Sequence, residues 1–250
     1  MDSELTSAAY WEDRQKRLVP AKDEGALKDL LDAVEPFRRS YRDQRWIELG
    51  CSPGYVSALL LKRIPFVPFG VDFSRTAYLY KQTMAQVAKI EATLFHTDLR
   101  DFAPESPFDV VMSYGLIEHF VDPLEILEHH LRLCRSGGLI VVALPHFRKL
   151  QWVYHRVFDH SDLRRHNLKV MVLDPFQDFS EKHDLDVLSL RHVGRMSFWN
   201  VDDTGPQLVA ALRKAVSLIV RGFANLIMSN VLPPDRQLYA PWIVFVAKKR

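Results

Sequence analysis

The chain has 250 residues, of which 48% are hydrophobic and 26% are charged, a composition typical of a globular protein rather than a disordered one. Its 33 basic side chains nearly balance its 31 acidic ones, so it lacks the basic excess expected of a nucleic-acid-binding protein. The two cysteines, Cys51 and Cys134, do not have the spacing of a zinc site and make a disulfide framework improbable. These features fit a single α/β domain in a reducing compartment.

The N-terminal segment MDSELTSAAYWEDRQKRLVP carries charges throughout and contains no apolar stretch of the kind that a signal peptide needs. No charge-free run of the sequence approaches the ~20 residues that span a bilayer. We therefore expect a soluble, cytoplasmic protein without a membrane-spanning segment.

Helices and strands alternate regularly in the first part of the chain. The predicted helices cover 24–38, 55–63, 75–89 and 122–134. The predicted strands cover 46–49, 66–73, 92–96, 108–113 and 139–145. A strand such as 108–113, with an almost continuous apolar run, is typical of a sheet that helices cover on both faces. This series of β–α units predicts a parallel sheet with right-handed crossovers.

The rest of the chain departs from this rhythm. It contains an insertion at 146–173, a helix at 174–183, a strand at 185–193, a helix at 205–228 and a last strand at 242–249. We expect a single domain over 1–250 with three additions, namely an N-terminal cap segment at 1–23, a substrate lid at 146–173 and a second helical insertion at 205–230.

The most informative motif is WIELGCSPGY, in which a strand ends in a glycine-containing turn that leads into a helix. Such a turn places free backbone N–H groups beside a ligand. Gly50 and Gly54 stand where the backbone needs unusual torsion angles or a ligand must approach closely. The turn does not complete the GxGxxG pattern of a dinucleotide-binding loop, since Tyr55 follows Gly54.

Three acidic residues also lie at or near the ends of predicted strands. Glu48 lies near the end of an otherwise apolar strand, and Asp72 and Asp98 follow the next two strands. A carboxylate at Asp72 can accept both hydroxyls of a ribose, and Asp98 is placed to accept from an adenine amino group. The carboxyl ends of parallel strands surround the crevice in which α/β sheets bind ligands. Asp72 alone is equally compatible with an NAD ribose, and Asp98 could instead cap a helix.

Several motifs in order resemble the class I S-adenosylmethionine-dependent methyltransferases. ELGCSPG resembles the family's E-x-G-x-G-x-G pattern with Ser52 in place of the middle glycine, and GVDFS resembles its ribose-binding strand end. DLRDF is similar to the adenine-site segment, FDVVMSYGLIEHF to the fourth strand and its loop, and RSGGLIVVALP to the fifth strand. The terminal IVFVAKK would be the antiparallel seventh strand. The resemblance covers roughly Arg45 to Pro145 and the terminal strand.

The resemblance implies a Rossmann-like fold with a seven-stranded, mostly parallel sheet, an antiparallel last strand, helices on both faces and an inserted helical lid. It also implies S-adenosylmethionine as the cofactor. The residues that it assigns to cofactor binding are Glu48, Gly50, Cys51, Ser52, Gly54, Asp72, Phe73, Asp98, Leu99, Ser113 and Tyr114.

Methyl transfer from a sulfonium is an in-line displacement, so positioning the nucleophile is the main task of the enzyme. His119 follows the fourth strand and, with an unperturbed pKa near 6.5, is our candidate for a catalytic base. The alternative is that His119 only orders its loop, as we expect for Glu118.

The lid carries six lysines and arginines against two aspartates over 146–169, together with aromatic residues. This combination suits an aromatic or anionic small molecule, although an amphipathic helix with core aromatics and a solvated basic face would look the same. The candidate substrate contacts are Tyr10, Trp11, His146, Phe147, Trp152 and His155. The lid histidines resemble no metal motif, and we expect no bound metal.

We therefore expect S-adenosylmethionine-dependent methyl transfer to an oxygen or nitrogen of a small metabolite. One alternative is an RNA or protein methyltransferase. Three features argue against a nucleic-acid substrate: the balanced charge, Tyr114-Gly115-Leu116 in place of N/D-P-P-Y/F, and the lack of a Pro-Cys nucleophile. The basic lid nevertheless leaves RNA as an alternative substrate. Another alternative is a noncatalytic nucleotide-binding protein of the same fold. The helix at 205–228 could serve as a homodimer surface, as a lid or as packing for the sheet.

Overall fold

A computed structural model describes part of the chain, namely residues 4–7, 9–12, 43–198, 206–234 and 236–250. The helix expected at 24–38 and most of the expected cap segment lie outside the described residues.

Within these residues, seven strands form one sheet in the order β3-β2-β1-β4-β5-β7-β6. The strands are β1 Arg45–Leu49, β2 Val67–Val71, β3 Thr93–Phe95, β4 Phe108–Tyr114, β5 Cys134–Pro145, β6 Leu185–Val193 and β7 Trp242–Lys249. The first five pair in parallel, and β7 runs antiparallel to both of its neighbours, β5 and β6. The predicted fold class, a mostly parallel sheet with an antiparallel last strand, is confirmed.

Helices connect these strands. In chain order they are α1 Tyr55–Leu61, α2 Leu79–Thr83, α3 Pro123–Leu133, α4 Leu150–Phe158, α5 His160–Leu163, α6 Asp174–Lys182, α7 Gln207–Gly222 and α8 Ser229–Val231. A 3₁₀ turn covers Ile117–His119, and wider π turns cover Met84–Ala88 after α2 and Phe223–Met228 after α7. The predicted helix at 75–89 is therefore a short α-helix that widens into a π turn.

The core lies on both faces of the sheet, because successive side chains of a strand point to opposite sides. Trp46 and Val110 belong to one apolar cluster, while their neighbours Ile47 and Val111 belong to the other. With both faces covered, the central strands are buried, and a ligand site must lie at the strand ends.

The register of the central strands brings three loops together at one edge. Leu49, the last residue of β1, lies beside Val71 of β2 and Ser113 of β4. Strand order also reverses at β1, since the chain passes first to β2 on one side and later to β4 on the other. This is the switch point at which open α/β sheets bind their ligands.

The inserted helices α4 and α5 lie beyond β5, and α4 is linked to α7. The ring of Tyr154 on α4 stacks on Phe198 at a centroid distance of 4.4 Å, and its hydroxyl is hydrogen-bonded to Ser217 on α7 at 2.9 Å. The other side of α7 exposes large apolar side chains, including Leu208 and Ile219. Among the described residues, we find no helix with both the length and the apolar character needed to cross a bilayer.

Candidate active site

A cavity of about 280 Å³ lies outside the carboxyl ends of β1, β2 and β4. Its walls come from the turn after β1, the loops after β2, β3 and β4, the N-terminal segment and the inserted lid. One continuous space therefore adjoins all the loops in which the sequence motifs lie.

The turn after β1 needs its glycines. Gly50 and Gly54 have φ angles of +67° and +90°, in the left-handed region that side chains disfavour. A Cβ atom at Gly54 would lie 2.8 Å from Cδ2 and 3.1 Å from Cα of Tyr80. Glycine here allows α1 to begin directly beside the cavity. The expectation of free backbone N–H groups is wrong for Gly50, Cys51 and Ser52, which donate to the carbonyl of Val71 and to the carboxylate of Asp72.

Asp72 holds the ends of β1 and β2 together. One carboxylate oxygen accepts the backbone N–H of Ser74 at 2.8 Å, and the other accepts that of Ser52 at 3.0 Å. The side chain is largely buried and lines the cavity. Each carboxylate oxygen has a second lone pair, so Asp72 can still accept hydrogen bonds from a ligand.

Asp98 is held by Arg100. Its Oδ1 accepts the backbone N–H of Arg100 at 2.8 Å and the guanidinium Nε at 2.9 Å, while Arg100 also reaches Glu4 at 2.7 Å. These hydrogen bonds keep the pKa of Asp98 below its usual value. Asp98 therefore closes a local turn and joins the N-terminal segment to the loop after β3, and it lines the cavity without capping a helix.

Glu48 lies beneath the glycine turn, where the hydroxyl of Ser57 donates a hydrogen bond to it. Burial raises the pKa of Glu48 to about 8. Without a ligand, this carboxyl group is therefore mostly protonated at neutral pH.

The loop after β4 brings Glu118 and His119 to the cavity wall. His119 Nδ1 is hydrogen-bonded to the backbone carbonyl of Arg165 at 3.0 Å, and the ring edge of Trp11 packs against His119 at a centroid distance of 4.6 Å. Glu118 is almost fully buried, and neither of its carboxylate oxygens has a hydrogen-bond partner among the described residues. Burial raises the pKa of Glu118 to about 8.

The N-terminal segment and the lid meet over this loop. The backbone N–H of Leu5 donates to the carbonyl of His119 at 2.7 Å, and that of Asn167 donates to the carbonyl of Glu118 at 2.6 Å. The hydroxyl of Tyr10 donates to Asp162 of the lid at 3.3 Å. These contacts join the N-terminal segment and the lid to the loop that carries His119.

Most of the predicted site residues come together in this cavity. Ten of the eleven cofactor candidates line it, namely Glu48, Gly50, Cys51, Ser52, Gly54, Asp72, Phe73, Asp98, Leu99 and Tyr114. His119 and three of the substrate candidates, Tyr10, Trp11 and Phe147, line it as well.

Four candidates do not line the cavity. Ser113 is fully buried and is hydrogen-bonded to Nε2 of His130 at 2.8 Å, so it faces the core while the next residue, Tyr114, reaches the cavity. His146 is buried and hydrogen-bonded to the carbonyl of Ala240, and His155 is buried against Asp159. Trp152 is 43% exposed on α4. The periodicity of the lid does not reveal which of its faces packs inward.

The structure adds wall residues that sequence reasoning did not assign to the site. They are Glu4, Pro53, Tyr55, Val56, Val71, Ser74, Gly115, Leu116, Glu118, Phe120, Pro145, Asp162, His166 and Trp242. Several of these could have been inferred from neighbouring motifs, since Tyr55 and Val56 open α1. Trp242, at the start of β7, carries no local signal and reaches the cavity only because β7 lies beside β5.

This sheet order, with acidic residues and a glycine turn at the switch point, defines the class I fold of S-adenosylmethionine-dependent methyltransferases. A profile of the methyltransferase domain family matches residues 8–193, and the chain belongs to this family. Methyl transfer from S-adenosylmethionine is the chemistry of that class.

Several known methyltransferases have a sequence or a fold similar to that of this chain. Over 140 residues the chain is 31% identical to trans-aconitate 2-methyltransferase of Azoarcus sp. (strain BH72), covering 54% of this chain and 51% of that protein. Over 108 residues it is 30% identical to ubiquinone biosynthesis O-methyltransferase of Caulobacter sp. (strain K31), covering 42% of each. The chain thus aligns with about half, or less, of these curated relatives.

A solved structure shares the fold over the whole chain. It is a SAM-dependent methyltransferase from Geobacter sulfurreducens in complex with S-adenosyl-L-homocysteine, with a TM-score of 0.59 and 17% identity, covering 99% of this chain and 100% of that one. At this identity the likeness concerns the fold.

Proposed function

We propose that this chain binds S-adenosylmethionine in the cavity and transfers its methyl group to an oxygen or nitrogen of a small aromatic or anionic metabolite. The observation that carries the proposal is the shared cavity, which Asp72, Asp98 and His119 all line. Family membership supports the reaction type, and within the cavity we propose a cofactor end at Asp72 and Asp98 and an acceptor end at His119.

The cofactor end would recognise a nucleoside. Asp72 would accept the ribose hydroxyls, and Asp98 would accept the adenine amino group, since both carboxylates line the cavity. The turn at Gly50 would lie against the ligand, and Cys51, Phe73 and the other cavity-lining candidates would complete the walls of the cofactor site.

The acceptor end would lie between His119 and the lid. In methyl transfer, a lone pair of the acceptor atom forms a bond to the methyl carbon while the bond from that carbon to sulfur breaks, and its electron pair stays on sulfur. A hydroxyl or protonated amine must also lose a proton. The hydrogen bond from Nδ1 of His119 to a carbonyl leaves the lone pair of the neutral ring on Nε2, which suits proton acceptance.

The cavity walls near His119 support a small aromatic or anionic acceptor. Tyr10, Trp11 and Phe147 supply aromatic walls near His119, and Arg165 lies over the Tyr10 ring at 4.7 Å. Some relatives methylate named small molecules, as trans-aconitate 2-methyltransferase does by its name. Carboxylic acids, phenols and heteroaromatic amines are therefore the first acceptor classes to examine.

An acceptor screen tests this proposal. Purified protein would be incubated with S-adenosylmethionine and a panel that contains trans-aconitate, phenols, amines and tRNA, and release of S-adenosylhomocysteine would be followed. We expect turnover with a small molecule, reduced at least 10-fold in His119→Ala and unchanged in His96→Ala, whose histidine is exposed. Methylation of RNA or protein alone would overturn the acceptor class, and no turnover despite cofactor binding would favour a noncatalytic protein.

Three further proposals concern the location of the protein, its lid and its oligomeric state. We propose that the chain acts in the cytoplasm, that residues 146–173 form the substrate lid, and that the apolar face of α7 pairs two copies as a homodimer. Light scattering would test the dimer, since substitution of Leu212 by Glu should halve a dimeric mass, whereas a monomeric wild-type chain would contradict it.

A further inference from the structure

Three potential metal ligands converge at the acceptor end of the cavity. Glu118 and His119 belong to the 3₁₀ turn after β4, and His166 follows α5 in the lid. One ligand atom from each lies within 4.8 Å of the others. The rings of His119 and His166 are 4.4 Å apart between centroids. Two imidazoles and one carboxylate are a common donor set for first-row transition metals.

The carboxylate of Glu118 lacks the partners that a buried charge needs. It is 1% exposed, and among the described residues neither oxygen accepts a hydrogen bond. The nearest histidine nitrogen, Nε2 of His119, is 3.7 Å from Oε1, which is too long for a hydrogen bond. A buried carboxylate in this state must either take up a proton or face a cation.

The two histidines are oriented as metal ligands usually are. Nδ1 of His119 is hydrogen-bonded to the carbonyl of Arg165 at 3.0 Å, and Nδ1 of His166 to the carbonyl of Asp162 at 2.6 Å. A carbonyl oxygen only accepts, so the proton lies on Nδ1 and the lone pair of each neutral ring lies on Nε2. A backbone carbonyl that fixes the ring in this way is the usual support of a ligating histidine.

The local charge also favours a cation. A second buried carboxylate, that of Asp162, also lines this cavity. A divalent cation would offset the negative charge of both acidic groups. Asp162 also accepts the Tyr10 hydroxyl, so the cap segment adjoins the same cluster.

We propose that Glu118, His119 and His166 bind one divalent transition-metal cation, with zinc as the best-matched ion and with an open coordination position toward the cavity. Imidazole ligands favour zinc and its neighbours over magnesium and calcium, which prefer oxygen donors. This role replaces direct proton acceptance by His119, because its Nε2 would then be a ligand.

The proposed site deepens the proposed function and rests on it for its catalytic meaning. An acceptor hydroxyl bound at the open position would have a lowered pKa and would release its proton to water. The resulting oxygen lone pair would form the bond to the methyl carbon, the bond from that carbon to sulfur would break, and S-adenosylhomocysteine would leave. An anionic acceptor would gain the same positioning without losing a proton.

Direct metal binding tests the proposal. Protein freed of metal by a chelator would be titrated with Zn²⁺ by calorimetry, and with Co²⁺ while its visible absorption is recorded. We expect one equivalent of each metal to bind, with Zn²⁺ affinity reduced at least 10-fold in Glu118→Gln and in His166→Gln. The control His96→Gln, which alters an exposed histidine, should bind as the wild type does. No stoichiometric binding by the wild type, or equal binding by all variants, would overturn the site.

Binding of S-adenosylhomocysteine separates this inference from the proposed function. A protein that binds S-adenosylhomocysteine but no metal would contradict only the metal site, whereas one that binds metal but no S-adenosylhomocysteine would contradict the proposed function. Variants that retain S-adenosylhomocysteine binding are folded, so their loss of Zn²⁺ affinity would report on the ligands themselves. If either variant did not fold, the other variant and the wild-type stoichiometry would still decide the question.

Discussion

Carboxylates in this cavity differ in charge state because their surroundings differ. Burial raises the pKa of both Glu48 and Glu118 to about 8, whereas hydrogen bonds from Arg100 lower the pKa of Asp98. The cofactor end can therefore keep an ionised acceptor of hydrogen bonds at Asp98 beside a mostly neutral group at Glu48. Sequence position identified Glu48 and Asp98 as site residues, but only the fold determines which of them is ionised at neutral pH.

The conformation of Gly54 leads to a prediction for the stability of a single variant. Gly54→Ala would place a methyl group at a φ of +90° and about 3 Å from Tyr80, so we expect the free energy of unfolding to fall by on the order of 2 kcal/mol or more. Gly222→Ala is the matched control, since a Cβ there meets nothing within 4 Å and alanine favours a helix. Urea unfolding would measure both, and equal stability of the two variants would refute the account of the turn.

At the scale of elements, the link between α3 and β4 explains why Ser113 does not line the cavity. His130 on α3 is fully buried, with Nδ1 hydrogen-bonded to the carbonyl of Ile126 and Nε2 to the hydroxyl of Ser113, both at 2.8 Å. Burial lowers the pKa of His130 to about 4. The hydroxyl of Ser113 therefore helps to hold α3 on β4.

This link predicts a pH dependence of stability. The folded-state pKa of His130 is about 4, below its ordinary 6.5, so the unfolded chain takes up a proton first as the pH falls. The stabilisation is complete above pH 6.5 and is lost between pH 6.5 and 4. We expect His130→Gln to reduce this loss by a few kcal/mol, and His96→Gln, at an exposed position, to leave it unchanged. Urea titrations at pH 7 and pH 5 would measure this change in the free energy of unfolding. If His130→Gln left the pH dependence of stability unaltered, that would contradict a neutral buried His130.

Across the whole molecule, residues distant in sequence close one cavity. Tyr10 near the N-terminus contacts Asp162 of the lid, and Trp242 at the start of β7 packs on Tyr114 of β4 at a centroid distance of 4.5 Å. The proposed cofactor end depends mainly on loops after β1, β2 and β3, while the proposed acceptor end depends on segments from three separate parts of the chain.

This division explains how much the sequence could predict. The parallel strands follow from the alternation of apolar strands and helices, and the cofactor candidates follow from short motifs such as the turn from Gly50 to Gly54 and the acid Asp72. The residues of the proposed acceptor end cannot be predicted from short motifs. His166 lies 47 residues beyond His119 and contacts it only because the lid packs there. For the same reason, the sequence did not reveal that His146 and His155, predicted as substrate contacts, are buried and do not line the cavity.

The most direct test is a calorimetric titration of the protein with S-adenosylhomocysteine, with NADH as the control ligand. We predict that one equivalent of S-adenosylhomocysteine binds and that NADH does not. Asp72→Asn should weaken the binding by about 10- to 100-fold, since hydrogen bonds to a charged group contribute roughly 1.5–3 kcal/mol each. Binding of NADH alone, or an affinity for S-adenosylhomocysteine that Asp72→Asn leaves unchanged, would contradict the assignment of this cavity as the cofactor site.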